Sequence, residues 1–300
     1  MALSGSICAL ATPFRGRDDA LDLDACARLI DHQLAGGTHA IVVAGSTGEA
    51  AALDEAEFSQ LLEFAVERIS GRIPVLAGTG MSATRKTIAQ TQRAKGAGVD
   101  IALVVAPAYV RPTQEGLYRH FSEVAEHGGL PVVLYNVPSR TSCDLLPETA
   151  ERLAGHGNIV GIKEARPEPE RMQALLELAS ADFSVLSGDD PTFVRAMLAG
   201  ASGVISVAAN VVPAEFSALA AVCAERDAKG AQAIDQRLRE LYDFLGVESN
   251  PIPLKWCLAQ IGIGEPQLRL PLVALSPAHH AQGRAVLVGL GLIEAERAVS

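Results

Sequence analysis

Eight short apolar runs punctuate the chain up to Val207, and amphipathic segments fill most of the gaps between them. The runs are Ile7–Ala11, Ala40–Ala44, Pro74–Ala77, Ile101–Ala106, Pro131–Tyr135, Ile159–Lys163, Ser184–Leu186 and Gly203–Val207. Short continuous apolar runs of this kind suit strands buried on both faces, and parallel pairing of such strands needs crossover helices. The intervening segments supply them. Cys26, Leu29, Ile30 and Leu34 make one helical stripe; Phe58, Leu61, Leu62, Ala65, Val66 and Ile69 make another. Asp54 with Glu57 predicts a capping box before the second stripe, and Gly71 then Pro74 predict its end. Asp190-Pro191 predicts a further helix start, with Asp190 as its N-cap. About eight strands alternating with helices predict an α/β fold, a (β/α)₈ TIM barrel. The competing open, doubly wound sheet lacks support, because no G-x-G-x-x-G follows an early strand.

Beyond about Val212 the strand signal stops. Ala214–Lys229, Gln232–Gly246, Leu254–Gly262 and Ala278–Leu290 read as helices, broken at Gly230, at Asn250-Pro251-Ile252-Pro253 and at Leu270-Pro271. The predicted organisation is therefore a barrel over residues 1–225 and a C-terminal helical extension over 226–300, packed on the barrel.

Composition narrows the function. Lys and Arg number 25 against 35 Asp and Glu, for a net charge of −10, which argues against nucleic acid and anionic membranes as partners. An anionic substrate must then be drawn in by a few placed cations or helix N-termini. No apolar stretch reads as a membrane span, and the opening Met1-Ala2-Leu3-Ser4 lacks a basic, then apolar, leader. Cys8, Cys26, Cys143, Cys223 and Cys257 are odd in number and scattered, which suits reduced thiols. A cytoplasmic enzyme or binding protein is the expected class.

In a barrel of this kind chemistry gathers at strand C-terminal ends and in the loops that follow. The sixth run ends in Lys163, which alone reads as a strand-end lysine snorkelling to water. Alternation puts Val160 and Ile162 on one face, and Ile159, Gly161 and Lys163 on the other. The fifth run ends in Tyr135, about 5 Å away if the strands are adjacent. Gly45-Ser46-Thr47-Gly48-Glu49 follows the second run with two hydroxyls among glycines, a loop able to receive a carboxylate or phosphate. Tyr109 lies in a proline-stiffened loop after the fourth run, and Arg140 a few residues beyond Tyr135. Gly188, with Asp189 and Asp190, follows the seventh run; Ile205 and Ser206 lie in the eighth. A desolvated lysine amine attacks carbonyls to give an imine, and the proton transfers of that step suit a phenol linked to hydroxyls. Metal chemistry fits worse, since the seven histidines show no H-E-x-x-H and no ligand spacing. A serine hydrolase would need a G-x-S-x-G elbow, and none is present.

Together these loops resemble the dihydrodipicolinate synthase family, within the lysine-dependent pyruvate aldolases that include N-acetylneuraminate lyase. The resemblance runs from Gly5 to Pro271; Gly45–Glu49 and Gly161–Ala165 mark the wider group, while Tyr135–Thr141 and Asn250–Trp256 are more specific. It implies that Lys163 forms an imine with pyruvate and that Tyr135 moves protons there. Ser46 would link Tyr135 to Tyr109 of a neighbouring subunit. Thr47 would hold the pyruvate carboxylate, and Arg140 the carboxylate of aspartate 4-semialdehyde. Gly188 and Ile205 would line the pyruvate pocket. The implied activity is condensation of the two substrates to 4-hydroxy-tetrahydrodipicolinate on the route to lysine and diaminopimelate. The implied assembly is a homotetramer, with no cofactor beyond the covalent imine and no metal. Another pyruvate aldolase, such as a neuraminate or 2-keto-3-deoxy-sugar acid lyase, is the alternative enzyme; a non-catalytic paralogue is the third reading. Two departures stand out. Ser46 replaces the threonine of many members. At the positions matching the lysine-inhibitor site stand Ala50, Glu55, Phe58, Ser82, Lys86 and Ala108, with Lys86 reversing the local charge, so lysine inhibition is expected to be weak or absent.

Overall fold

In the computed structural model of the chain, which describes residues 3–295, the eight runs form one closed parallel barrel. The strands are β1 (Gly5–Ala9), β2 (Ala40–Val43), β3 (Val75–Gly78), β4 (Ile101–Val105), β5 (Val132–Asn136), β6 (Ile159–Glu164), β7 (Ser184–Ser187) and β8 (Gly203–Ser206). Each pairs with its sequence neighbours, and β1 closes the ring by pairing with both β8 and β2. Every end lies within two residues of the apolar run that predicted it, since side chains buried on both faces leave little freedom over where pairing begins. A two-stranded ribbon, Phe14–Arg15 with Ala20–Leu21, has no counterpart in the sequence reading.

The helices fold for the reasons their stripes suggest. Asp54 accepts from the Glu57 amide, and Glu57 reaches back to the Asp54 amide, so the capping box starts Glu55–Ile69 as expected. Phe58, Leu61, Leu62, Ala65 and Ile69 then bury against the strands. One apolar layer lies between strands and helices, while Ile7, Val42, Leu76, Leu103, Val133 and Ile205 belong to a second, inside the barrel. Two helix boundaries differ from expectation. Pro213–Ala224 stops short of Lys229, because Asp227 caps a new helix, Ala228–Leu245, by accepting from the Gly230 amide. Gly230 thus sits in a first turn rather than at a break. Ile252–Gln260 includes Pro253, which is tolerated in a first turn, where its missing N–H has no partner to lose. His280–Gly289 is the last helix.

The strand that carries Lys163 departs from simple alternation. Against β5 its register runs Val132 with Ile159 but Val133 with Gly161, leaving Val160 as an extra residue. This bulge rotates the faces. Ile159 and Ile162 both join the outer layer, whereas Val160 packs against the inner one. The expected pairing of Val160 with Ile162 on one face is therefore wrong. Gly161 suits the kink, since a Cβ there would lie 2.5 Å from the Ser184 carbonyl oxygen.

Candidate active site

Lys163 and Tyr135 are paired neighbours at the ends of β6 and β5. Both are buried, at 5% and 8% exposure, and Nζ lies 4.3 Å from the phenol ring centroid. Among the described residues Lys163 forms no ion pair. Burial pushes its pKa down to about 8, with Asp190 opposing and Arg140 reinforcing. The ring face offers a cation less than a carboxylate would, so the neutral amine is accessible near neutral pH. Burial pushes Tyr135 up to about 12, against Arg140 and a side-chain hydrogen bond with Ser46. The phenol thus keeps its proton and can lend it. Ser46 is exposed, which suits a link between the buried phenol and the barrel mouth.

The loop after β2 places Thr47 inward, at 4% exposure. Its hydroxyl oxygen accepts from Asn250 Nδ2 at 3.0 Å, which leaves the hydroxyl proton for another acceptor. Arg140 is exposed and donates from Nη2 to the Asn250 carbonyl at 3.3 Å. Asn250 therefore joins the two predicted carboxylate-binding residues. In the sequence Asn250 marks only a helix break and a family motif; its bridging role needs a chain separation of 203 residues to close.

Gly188 lies against the Lys163 side chain. A Cβ there would stand 2.6 Å from Lys163 Cε. Ile205 is buried in the inner layer at 1% exposure. Asp190 corrects an expectation: Phe193–Ala199 is preceded by Thr192, and Asp190 is not its cap. Instead its Oδ2 accepts from Val207 and Ala208 amides at 3.2 and 2.8 Å, joining the loops after β7 and β8. Its Oδ1 is buried without a partner, and burial raises its pKa to about 6. Dipeptide context, Asp before Pro, favours a cap; only the closed ring brings the carboxylate to the loop after β8.

Tyr109 is the residue the protomer does not bring in. It is 92% exposed at φ +73°, held by a 3.4 Å bond from its amide to the Thr141 carbonyl. An exposed aromatic in the left-handed region is strain without local packing to offset it.

A closed parallel barrel with an unpaired, desolvated lysine beneath a protonated phenol has the equipment of an imine-forming, lysine-dependent enzyme. The chain belongs to the dihydrodipicolinate synthetase family, whose family model matches residues 2–288, and it is an enzyme of the lyase class. A 4-hydroxy-tetrahydrodipicolinate synthase of Xanthomonas axonopodis pv. citri is 60% identical over 279 residues, 93% of this chain and 92% of that protein. One from Pseudomonas aeruginosa is 48% identical over 97% of this chain and 99% of its own length. Among solved structures, the dihydrodipicolinate synthase of Acinetobacter baumannii complexed with pyruvate superposes with a TM-score of 0.95, at 41% identity over 97% of this chain and 100% of that one. No helix among the described residues is long and apolar enough to cross a membrane.

Proposed function

We propose that the protein condenses pyruvate with L-aspartate 4-semialdehyde to give 4-hydroxy-tetrahydrodipicolinate, for lysine and diaminopimelate synthesis, with Lys163 as the imine-forming residue. The observation that carries this is the Lys163–Tyr135 pair: an unpaired amine lowered to about 8 under a phenol held above neutral pH. The Lys163 amine adds to the pyruvate carbonyl, and water leaves as the carbinolamine collapses to an imine. Tyr135, through Ser46, carries the protons of that exchange. The imine draws electrons from the methyl carbon, whose proton departs; the resulting enamine forms a carbon–carbon bond to the aldehyde. The amino group of the adduct then displaces Lys163 and closes the ring. One water is released overall. Thr47 holds the pyruvate carboxylate, Arg140 the second carboxylate, and Gly188 and Ile205 shape the pocket.

Tyr109 completes the relay in a neighbouring subunit, which its exposure and strained φ support, and the working form is a homotetramer built as a dimer of dimers. A monomeric dihydrodipicolinate synthase variant is among the similar solved structures, at a TM-score of 0.94, and sedimentation of this chain distinguishes the two assemblies. Residues 1–225 act as the barrel unit and 226–300 as its extension, of which 296–300 lie outside the described residues. The electron sink is the substrate imine, so no separate cofactor or metal takes part. The protein works in the cytoplasm on small molecules, not on nucleic acid or membranes.

Borohydride added with pyruvate is expected to fix the three-carbon unit on Lys163, and Lys163→Ala to fold yet trap nothing. Labelling elsewhere, or none in folded protein with excess pyruvate, would refute the reading. Lysine is expected to inhibit weakly or not at all. Phe58 is 1% exposed within the core, so it does not face a ligand. Half-inhibition at sub-millimolar lysine would sink this.

A further inference from the structure

One residue beyond Tyr135 and Lys163, the same two strands end in a second pair, Asn136 and Glu164. Both are fully buried. Asn136 Nδ2 donates to Glu164 Oε2 at 2.9 Å and to Asp144 Oδ1 at 2.9 Å, while its Oδ1 accepts from the Leu145 amide at 2.9 Å. The other Glu164 oxygen takes the Arg166 amide at 2.9 Å. Asp144 Oδ2 receives Arg166 Nη1 at 2.8 Å and Arg171 Nη2 at 2.6 Å, and Arg171 Nη1 donates to the Leu145 carbonyl at 3.0 Å. The ring of bonds closes on itself, and the Asn136 amide is fully used.

This network sits where error would cost most. The β5–β6 pair already contains one register shift, between Val132 and Val133. A further slip by one residue would turn Lys163 out of the barrel. The clamp fastens the pair at the opposite end from that shift. The turn Pro138–Thr141, which carries Arg140, is spanned by the same amide through Asp144 and Leu145. Burial pushes Glu164 up to about 7, against the Asn136 and Arg166 hydrogen bonds and the charge of Arg171, with Asp144 adding to the rise. An apolar pair would close the barrel without that penalty, so closure alone does not explain a buried carboxylate here.

We propose that Asn136 is a positioning residue: bonded to Glu164 and Asp144, its amide sets the relative placement of Lys163, Tyr135 and Arg140 that carbon–carbon bond formation needs. The proposal rests on the imine reading of Lys163. Misplacement by about 1 Å costs a reaction up to about a hundredfold.

The test uses the full chain, well below each variant's melting temperature, and measures kcat per Lys163 trapped by pyruvate and borohydride. Asn136→Asp puts three carboxylates together. It is expected to trap pyruvate at wild-type stoichiometry while kcat per trapped site falls roughly ten- to a hundredfold and KM for aspartate semialdehyde rises. Asn136→Asp/Glu164→Gln restores the bond across the two strand ends, the new amide donating to the new carboxylate, but leaves Asp144 facing that carboxylate, so kcat per trapped site should recover only in part, by about threefold over Asn136→Asp. Should Asn136→Asp not fold, Asn136→Ser removes the bridge without adding charge and is read the same way. A purely structural role predicts lower melting temperature and fewer trapped sites, with kcat per trapped site unchanged; that result overturns the assignment alone. A wild-type chain that traps no pyruvate on Lys163 overturns the imine reading and this assignment with it.

Discussion

Two lysines among the described residues are buried, and they do opposite things. Lys163 ends β6 at 5% exposure; Lys255 lies in the helix Ile252–Gln260 at 2%. Burial lowers both to about 8. Their partners differ. Lys255 Nζ bonds directly to Glu49, itself buried, and lies 4.1 Å from the Phe14 ring centroid. Glu49 also accepts the Arg269 amide at 3.1 Å, so the pair ties the C-terminal segment to the loop bearing Ser46 and Thr47. Lys163 has a phenol face, and Gly188 leaves space beside its Cε. A lowered pKa therefore does not identify a nucleophile; a lowered pKa with no carboxylate partner, beside open space, does.

Replacing each lysine in turn separates the two roles. Lys163→Met should reduce turnover by at least about 10⁴-fold, since the covalent route is lost. Lys255→Met should leave borohydride trapping at Lys163 intact but cost about 3–5 kcal/mol, because Glu49 is left buried without its cation. Denaturant unfolding measures this, and Lys255→Met/Glu49→Leu should recover most of the loss. Equal losses of trapping in both variants would erase the distinction.

The stability effect of Lys163→Met should have the opposite sign. With a folded pKa near 8 against an ordinary 10.5, the unfolded chain binds more protons at this position between those values. Native stability therefore rises with pH across that window, and at pH 7 the charged form costs on the order of 3 kcal/mol. Lys163→Met should raise the melting temperature at pH 7 and flatten the slope between pH 8 and 10. The same ionisation governs chemistry. Imine formation at low pyruvate should rise about tenfold from pH 6 to 7 and level off above 8 in single-turnover trapping; a flat profile would mean Lys163 is already neutral at pH 6. Gly188→Ala should have the smallest effect, a several-fold slower trapping rate at unchanged fold, since its Cβ meets the flexible end of Lys163.

Much of this site was legible in the chain because strand ends are legible. Once eight runs imply a barrel, position alone places Lys163, Tyr135, Thr47, Gly188 and Ile205 around one mouth. Asp190 was misread because local context favoured a helix cap, whereas its bonds go to Val207 and Ala208 on the next strand's loop. The contacts of Asn250 and Lys255 are illegible in the chain for the same reason: their partners, Thr47 and Glu49, lie 203 and 206 residues away. The bulge at Val160 was invisible because a period-2 pattern has no signal for one extra residue.

Sequence by itself determined the barrel, the order of its strands, and the residue types that meet at its mouth, because burial on both faces leaves an unmistakable apolar rhythm. Only the tertiary structure decided which buried lysine is free to react. Desolvation acts on both alike, and the difference is a carboxylate that chain closure delivers to Lys255 and withholds from Lys163.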